Sequence, residues 1–258
     1  MLLVMDMGNT CITLGVYDGE KLILTARLST DRGRTEDQYA VELHNILALH
    51  GLDYTTFRGA IIGSVVPVLT AGMSRAVELA IGVKPLVVGS GIKTGLNIQI
   101  DDPAQTGADL VCGAVAALNK YPMPCLIFDL GTATTITVLN QKGTFVGGTI
   151  TAGIGISLDA LASRTAQLPH VSLHHLGKVV GTNTVDCMKS GLIYGTASMM
   201  DGMADRMEEE LGTPATLVAT GGRAGEVIPY CKRKFVLDND LLLDGLRIIY
   251  EKNQKKSG

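Results

Sequence analysis

One short element occurs twice in this chain. "MLLVMDMGNT" begins at Met1 and "CLIFDLGTAT" at Cys125, and each is an apolar run ending in Asp, one apolar residue, Gly and a small polar or hydroxyl residue. The two aspartates, Asp6 and Asp129, stand 123 positions apart (129 − 6 = 123). Apolar runs of this length, bounded by glycine turns, read as buried strands. Two of them, each opening a similar series of segments, point to a duplicated fold.

The series can be followed in both halves. After "LLVMD" come the strand-like stretches "CITLGVYD" and "KLILTARLS", joined at the turn signal Asp18-Gly19. A helix follows in "TEDQYAVELHNILALHG", where Tyr39, Leu43, Ile46, Leu47 and Leu49 share a face, Thr35 caps and Gly51 ends it. "GAIIGSVVP" is a strand, "LTAGMSRAVELAIG" a helix and "KPLVVGSG" a strand; a glycine-rich loop then leads to the helix "ADLVCGAVAALNK". From Cys125 the three strand-like stretches return as "CLIFDLG", "TATTITVLN" and "TFVGGTITAG", the last two joined at Gln141-Lys142-Gly143. Helices are expected at "ISLDALASRTAQL", from Asn183 to Gly212 and at the C-terminus, with a late strand in "ATLVATGG". The order β-β-β-α-β-α-β is thus expected twice, the halves meeting near residue 118.

A carboxylate at the end of a buried strand, followed by a glycine turn, suits polyphosphate binding. The turn presents backbone N–H groups and hydroxyls to phosphate oxygens, and the Asp reaches a hydrated divalent cation. A Cβ at the glycine would hold the phosphate away. One such element more often merely caps a turn. Two copies at corresponding places are expected to clamp a nucleoside triphosphate from both sides.

Ordered blocks along the whole chain carry a resemblance. They are "DMGNT" at 6–10, "STDRGRTEDQY" at 29–39, "GSVVP" at 63–67, "GIKTGLNI" at 91–98, "TGAD" at 106–109, "DLGTATT" at 129–135, "GGTITAGIGIS" at 147–157, "NTVDCMKSGLIYG" at 183–195, "ATGG" at 219–222 and "LLLDGLRIIYE" at 241–251. With these blocks the chain resembles the actin–hexokinase superfamily of phosphotransferases and, within it, the type III pantothenate kinases. The resemblance implies an α/β, duplicated actin-like ATPase (ribonuclease H-like) fold, with domains at 1–118 and 119–258 and a nucleotide cleft between them. It implies ATP-dependent phosphorylation of pantothenate, the first step of coenzyme A synthesis, in a cytoplasmic homodimer.

By position, the resemblance implies that Asp6, Gly8, Asn9 and Thr10 bind ATP, with Asp6 near Mg²⁺ or another divalent cation. Gly131 and Thr132 face ATP from the second turn, and Gly221 and Gly222 lie under the adenosine. Asp129 helps to hold a monovalent cation, K⁺ or NH₄⁺. Gly107, Ala108, Asp109 and Leu110 line the acceptor site, with Asp109 as catalytic base, and Thr184 contacts pantothenate. Asp109 begins a helix, where the dipole favours its ionised form; by spacing alone it is an ordinary first-turn acid.

Five positions depart from the family pattern. Leu110 replaces the Arg that usually follows the catalytic Asp, Gly113 an Asn, Ile100 a Tyr that contacts pantothenate, Asp102 an Asn and Ala152 a Pro. The donor motifs are intact and the losses gather on the acceptor side. Loss of a charge-assisted contact of the Arg type costs about 1.5–3 kcal/mol. Weak or altered pantothenate use, a different small hydroxyl acceptor, and a nucleotide-binding accessory or regulatory homologue all remain open on sequence. Lys93, Arg164 or a partner subunit are alternative sources of the charge.

Composition excludes other classes. The formal charge is −3 and aromatics make up 4% of the 258 residues, with no Trp, so neither a basic nucleic-acid footprint nor a base-stacking platform is expected. The first residues reach Asp6 too soon, and without basic residues, for a secretory leader, and no apolar run approaches the roughly 18 residues of a membrane span. Cys11, Cys112, Cys125, Cys187 and Cys231 are scattered without C-x-x-C spacing and read as reduced thiols. "GSGIKTG" at 89–95 lacks adjacent Gly-Lys-[Ser/Thr] and is not expected to be a P-loop. His174-His175 read as a solvated loop rather than a metal site. Met199, Met200, Met203 and Met207 read as core or subunit interface. Arg32 and Arg34 are open between a functional role and ordinary surface charge.

Overall fold

A computed structural model describes residues 1–173 and 176–254 of the chain; the His174-His175 pair and the last residues of the basic tail lie outside them. Among the described residues the strands form two five-stranded sheets, and the chain divides into two units. Unit 1 comprises residues 1–96, 101–119 and 240–254, and unit 2 comprises residues 97–100 and 120–239.

In unit 1, β1 (Leu2–Met7), β2 (Cys11–Asp18) and β3 (Lys21–Ser29) form an antiparallel meander; α1 (Glu36–Leu49), β4 (Gly59–Ser64), α2 (Pro67–Ile81), β5 (Leu86–Val87) and α3 (Ala108–Lys120) follow. The strand order is β3-β2-β1-β4-β5, with β4 parallel to β1 and β5 parallel to β4. Thr35 caps α1 in a capping box with Gln38, and Gly51 follows the helix end with φ +68°. Leu49, expected on the buried face, is 82% exposed, since the core is reached by Tyr39, Ala40, Leu43 and Leu47, with Ile46 partly buried against it. Pro67 opens α2 rather than simply closing β4, because its missing N–H costs nothing in the first turn.

Unit 2 repeats the plan. β6 (Cys125–Leu130), β7 (Ala133–Leu139) and β8 (Phe145–Ala152) form the meander; α4 (Ile154–Arg164), α5 (Thr184–Leu211), β9 (Thr216–Thr220), α6 (Ala224–Val227) and β10 (Val236–Leu237) follow. The order β8-β7-β6-β9-β10 matches that of unit 1 strand for strand. Neither α6 nor β10 stands out in sequence, as they have four and two residues. Met200 is fully buried in the core of this unit, and Met199, Met203 and Met207 pack against it.

The last helix, α7 (Leu241–Gln254), corrects the even division at residue 118. Expected with the second half, it belongs to unit 1. Leu241, Leu243, Leu246 and Ile249 are buried, Tyr17 donates to Asp244 at 2.7 Å, and Arg247 lies over the Tyr17 ring at 5.5 Å. At Gly245 the helix meets the backbone of Cys112 on α3 so closely that no Cβ fits. Sheet alternation explains the need for it. Leu3, Met5 and Met7 face the core under α1 and α2, so Val4 and Asp6 face the opposite side, where α3 and α7 pack.

Candidate active site

The expected site residues fall into two groups, one in each unit. In unit 1, Asp6 sits near the carboxyl end of β1, paired with Thr13 of β2 and beside Gly63 of β4. The ends of parallel strands are where open α/β sheets present ligand sites. The chain turns after Met7, Gly8 donating its N–H to Cys11 O at 3.0 Å. Asn9 and Thr10 are exposed at the tip. Thr30 braces the turn, donating from its backbone to Thr10 O at 3.0 Å and from Oγ1 to Gly8 O at 2.7 Å.

Asp109 is brought to the same place. A Cβ on Gly63 would meet Cys112 Sγ at 3.5 Å and Ala108 Cβ at 3.9 Å, so the first turns of α3 lie over the strand position next to Asp6. Cys112 reports the convergence. Burial pushes its thiol well above the ordinary range, and the charges of both Asp6 and Asp109 push it further. Asp109 is itself raised by burial, against the lowering effect of the Leu110 N–H, which donates to Oδ1 at 2.8 Å, and of its own N–H. The helix N–H groups favour the charged form, in the sense expected of the dipole, but loss of solvent outweighs them. Gly107 leaves room for this carboxylate, since a Cβ there would collide with Asp109 Oδ1. Thr106 Oγ1 is buried, with no hydrogen-bond partner among the described residues.

In unit 2, Asp129 occupies the equivalent place on β6, paired with Thr135 of β7 and Thr220 of β9. Gly131 donates to Ala133 O at 3.1 Å, closing the turn that exposes Thr132. Two glycines wall this turn. Gly153 donates to Thr132 O at 3.2 Å, and a Cβ on it would clash with the carbonyls of Gly131 and Thr132. Gly221 has φ +91°, and its Cβ would collide with Asp129 Oδ1 and lie 2.7 Å from Leu130 C. Gly222 is exposed beside it. Thr184 is the exposed first residue of α5, whose cap Asn183 accepts from Asp186 N at 2.9 Å.

The departures find local explanations in part. Asp102 caps a short 3-10 turn, accepting from Ala104 N at 3.1 Å and Gln105 Nε2 at 2.7 Å. Gly113 is buried, and a Cβ would make ordinary contacts with Leu242 and Leu241 at 3.8 and 4.0 Å. Ala152 ends β8 opposite Ala133. Ile100 is half-buried, and nothing in the structure explains its replacing Tyr. Leu110 is half-buried and meets Asp109 through its N–H. Of the alternative cations, Lys93 lies in unit 1, its backbone joined to Asn253 at 3.1 and 3.0 Å, and Arg164 ends α4 in unit 2.

Sequence reasoning missed Thr30, Gly63, Gly153 and Cys112, although all but Cys112 lie in quoted blocks. Their signal is contact with a turn or strand distant in sequence, which no local spacing records. All five cysteines are free, and burial raises Cys125 and Cys231 to about 12. The segment at 89–95 turns at 90–91 and runs on as irregular chain, with no helix directly after it. Among the described residues no helix is long and apolar enough to cross a membrane.

Two matched sheets, each with an Asp-x-Gly turn at the end of its first strand, define an α/β protein of the duplicated actin-like ATPase fold. An activator of 2-hydroxyisocaproyl-CoA dehydratase from Clostridium difficile, solved with bound ADPNP, shares the fold, with a TM-score of 0.54 at 14% identity over 100% of this chain and 98% of that one. Within this class the particular family is shown by sequence. A family model described as type III pantothenate kinase matches residues 2–206. A protein named type III pantothenate kinase from Geobacter sulfurreducens is 43% identical over 255 residues, 99% of this chain and 100% of that protein. One of the same name from Moorella thermoacetica is 41% identical over 253 residues, 98% of this chain and 100% of that protein. The chain belongs to the type III pantothenate kinase family.

Proposed function

We propose that the chain transfers the γ-phosphoryl group of ATP to the primary hydroxyl of pantothenate, giving 4′-phosphopantothenate, the first step of coenzyme A synthesis. The observation that carries this reading is the placement of the first turns of α3, which hold Asp109, over Gly63, the strand position beside Asp6. The match along nearly the whole chain supports turnover rather than an accessory role.

Phosphoryl transfer asks the protein mainly to position reactants and neutralise charge. The Gly8–Thr10 turn and the Gly131–Thr132 turn each take part in binding ATP, through N–H groups, hydroxyls and the Asn9 amide. Gly221 and Gly222 accept the adenosine. Residues 107–110 and Thr184 bind pantothenate, and the unpartnered Thr106 hydroxyl offers one further hydrogen bond there. Asp109 accepts the proton of the attacking hydroxyl as the new P–O bond forms and ADP leaves. A desolvated carboxylate is a better base for this than an exposed one. A homodimer in the cytoplasm goes with this reading.

Among the described residues no three acidic, His or Cys side chains form a metal cluster. Mg²⁺ keeps several waters and binds through one or two carboxylates plus substrate phosphates; Asp6 is the carboxylate that would hold it. Held there with ATP, Mg²⁺ would supply neutralisation of the charge that develops on the phosphate oxygens. Asp129, a hard oxygen donor beside the Gly131 and Gly221 backbones, suits K⁺ or NH₄⁺.

The test is ADP release from MgATP in K⁺ buffer, with and without pantothenate, with the product identified by mass and Asp109→Asn alongside. Pantothenate-dependent product, absent from the variant, is expected. A protein that binds ATP yet makes no phosphopantothenate overturns the proposal.

A further inference from the structure

The segment after β3 carries two arginines whose surroundings differ. Arg34 is occupied: it pairs with Glu42, lies 3.6 Å from Asp31 Oδ2, and sits over the Tyr39 ring at 5.8 Å. Arg32 is exposed, and Nη2 donates to a neutral acceptor, Asn9 Oδ1, at 3.3 Å. Asn9 lies at the tip of the turn that follows Asp6. An amide oxygen takes one hydrogen bond and returns no charge, leaving most of the guanidinium's five donors for another acceptor.

The turn holding Arg32 is fastened on both sides. Before it, Thr30 is bonded to Thr10 and Gly8 as described. Around it, the buried Tyr39 hydroxyl accepts from Asp31 N and donates to Asp31 O, both at 2.9 Å, and Gly33 N donates to Asp31 Oδ1 at 2.9 Å. Arg32 is therefore presented beside Asn9 by a braced turn. The charge balance makes this placement informative. The Gly8–Thr10 turn carries no cationic side chain, and the carboxylates converging nearby, Asp6 and Asp109, are both acidic. A polyphosphate there needs positive charge, and a guanidinium fork matches phosphate oxygens.

We propose that Arg32 is a phosphate-contacting residue of the donor site, its guanidinium meeting the polyphosphate of ATP beside Asn9. This rests on the assignment of the Gly8–Thr10 turn to ATP in the reading above. Because the contact senses phosphate charge rather than the base, it favours nucleoside triphosphates over monophosphates and leaves pantothenate recognition alone.

The experiment compares wild type, R32Q, R32K and R34Q by steady-state kinetics with MgATP and pantothenate, and by calorimetric titration with ATP and AMP. R32Q is expected to raise the KM for ATP roughly tenfold to a hundredfold. Its KM for pantothenate stays within about twofold, and its affinity for ATP falls by more than its affinity for AMP. R32K is expected to recover part of the loss. R34Q, which removes a charge from the same segment, lowers the melting temperature and leaves the KM for ATP within about twofold. An unchanged KM for ATP in R32Q overturns the assignment. So does an equal rise in R34Q, which would reduce the effect to disturbance of the segment. ATP binding that R32Q weakens, in a wild type that does not phosphorylate pantothenate, supports Arg32 and overturns the kinase reading, so the two fail separately.

Discussion

The Asp6 and Asp129 turns share a sequence pattern and differ in length and support. Four residues, 8–11, separate the paired strand ends Met7 and Ile12 in unit 1; three, 131–133, separate Leu130 and Thr134 in unit 2. The longer turn is braced by a side chain, Thr30, and a Cβ on Gly8 would only press Cys11 O at 3.1 Å. The shorter turn is walled by Gly153 and Gly221, where a Cβ would enter the space of main-chain or carboxylate atoms. The comparison teaches that the repeated pattern specifies a strand and a turn, while their neighbours decide how the turn is held. Unit 1 gathers the acidic chemistry around a turn that side chains support. Unit 2 offers a turn fixed by close backbone approach.

The largest expected effect tests where the chemistry lies. Asp109→Asn should lower kcat/KM for pantothenate about 10²–10⁴-fold, measured as phosphopantothenate formed. The same variant should melt higher than wild type at neutral pH. Burial raises the Asp109 pKa, so the folded chain holds this proton more tightly than the unfolded one. Stability from this group is therefore present below the unfolded carboxylate value, about 3.9, and is lost as pH rises through the folded value. Thermal scans across acid and neutral pH should show the gain from Asn shrinking as pH falls; a constant difference would contradict the burial argument.

A smaller effect separates the two turns by their glycines. Gly153→Ala should cost about 2–3 kcal/mol in urea unfolding, because the obstructing atoms are backbone carbonyls that have nowhere to go. Gly8→Ala should cost less than about 1 kcal/mol, since the neighbour has only a few tenths of an ångström to give. Equal costs would break the comparison. Next in size, Asp129→Asn should shift the K⁺ concentration for half-maximal activity upward about tenfold, with the MgATP dependence little changed. The reverse pattern would move the monovalent cation to another site. Least of all, Thr30→Val should cost about 1 kcal/mol by removing the bond to Gly8 O, seen as a modest drop in melting temperature.

Much of this was legible along the chain. The meanders at 2–29 and 125–152 showed as apolar runs broken by turn residues, and α1 by its Thr35 cap. Asp6 and Asp129 declared themselves by repetition. Asp109 did not: by spacing it is a first-turn acid, and the family resemblance singled it out. Its raised pKa depends on how far Leu246, Cys112 and Ala108 close over the strand ends, a three-dimensional quantity. Arg32 and Arg34 looked alike in "STDRGRT" and were separated only by their partners, Asn9 for one and Asp31 with Glu42 for the other.

The sequence by itself determined the duplication, the strand and helix order within each half, and the family, because these rest on local periodicity and ordered motifs. Tertiary structure decided that α7 completes unit 1. Its buried stripe of Leu241, Leu246 and Ile249 states that a partner is needed but not which sheet supplies it. Gly245 settles the matter by allowing α7 to reach the α3 backbone, and that packing covers the face to which strand alternation turns Asp6. Periodicity fixes which side of an element seeks burial; only the assembled chain fixes what it meets there.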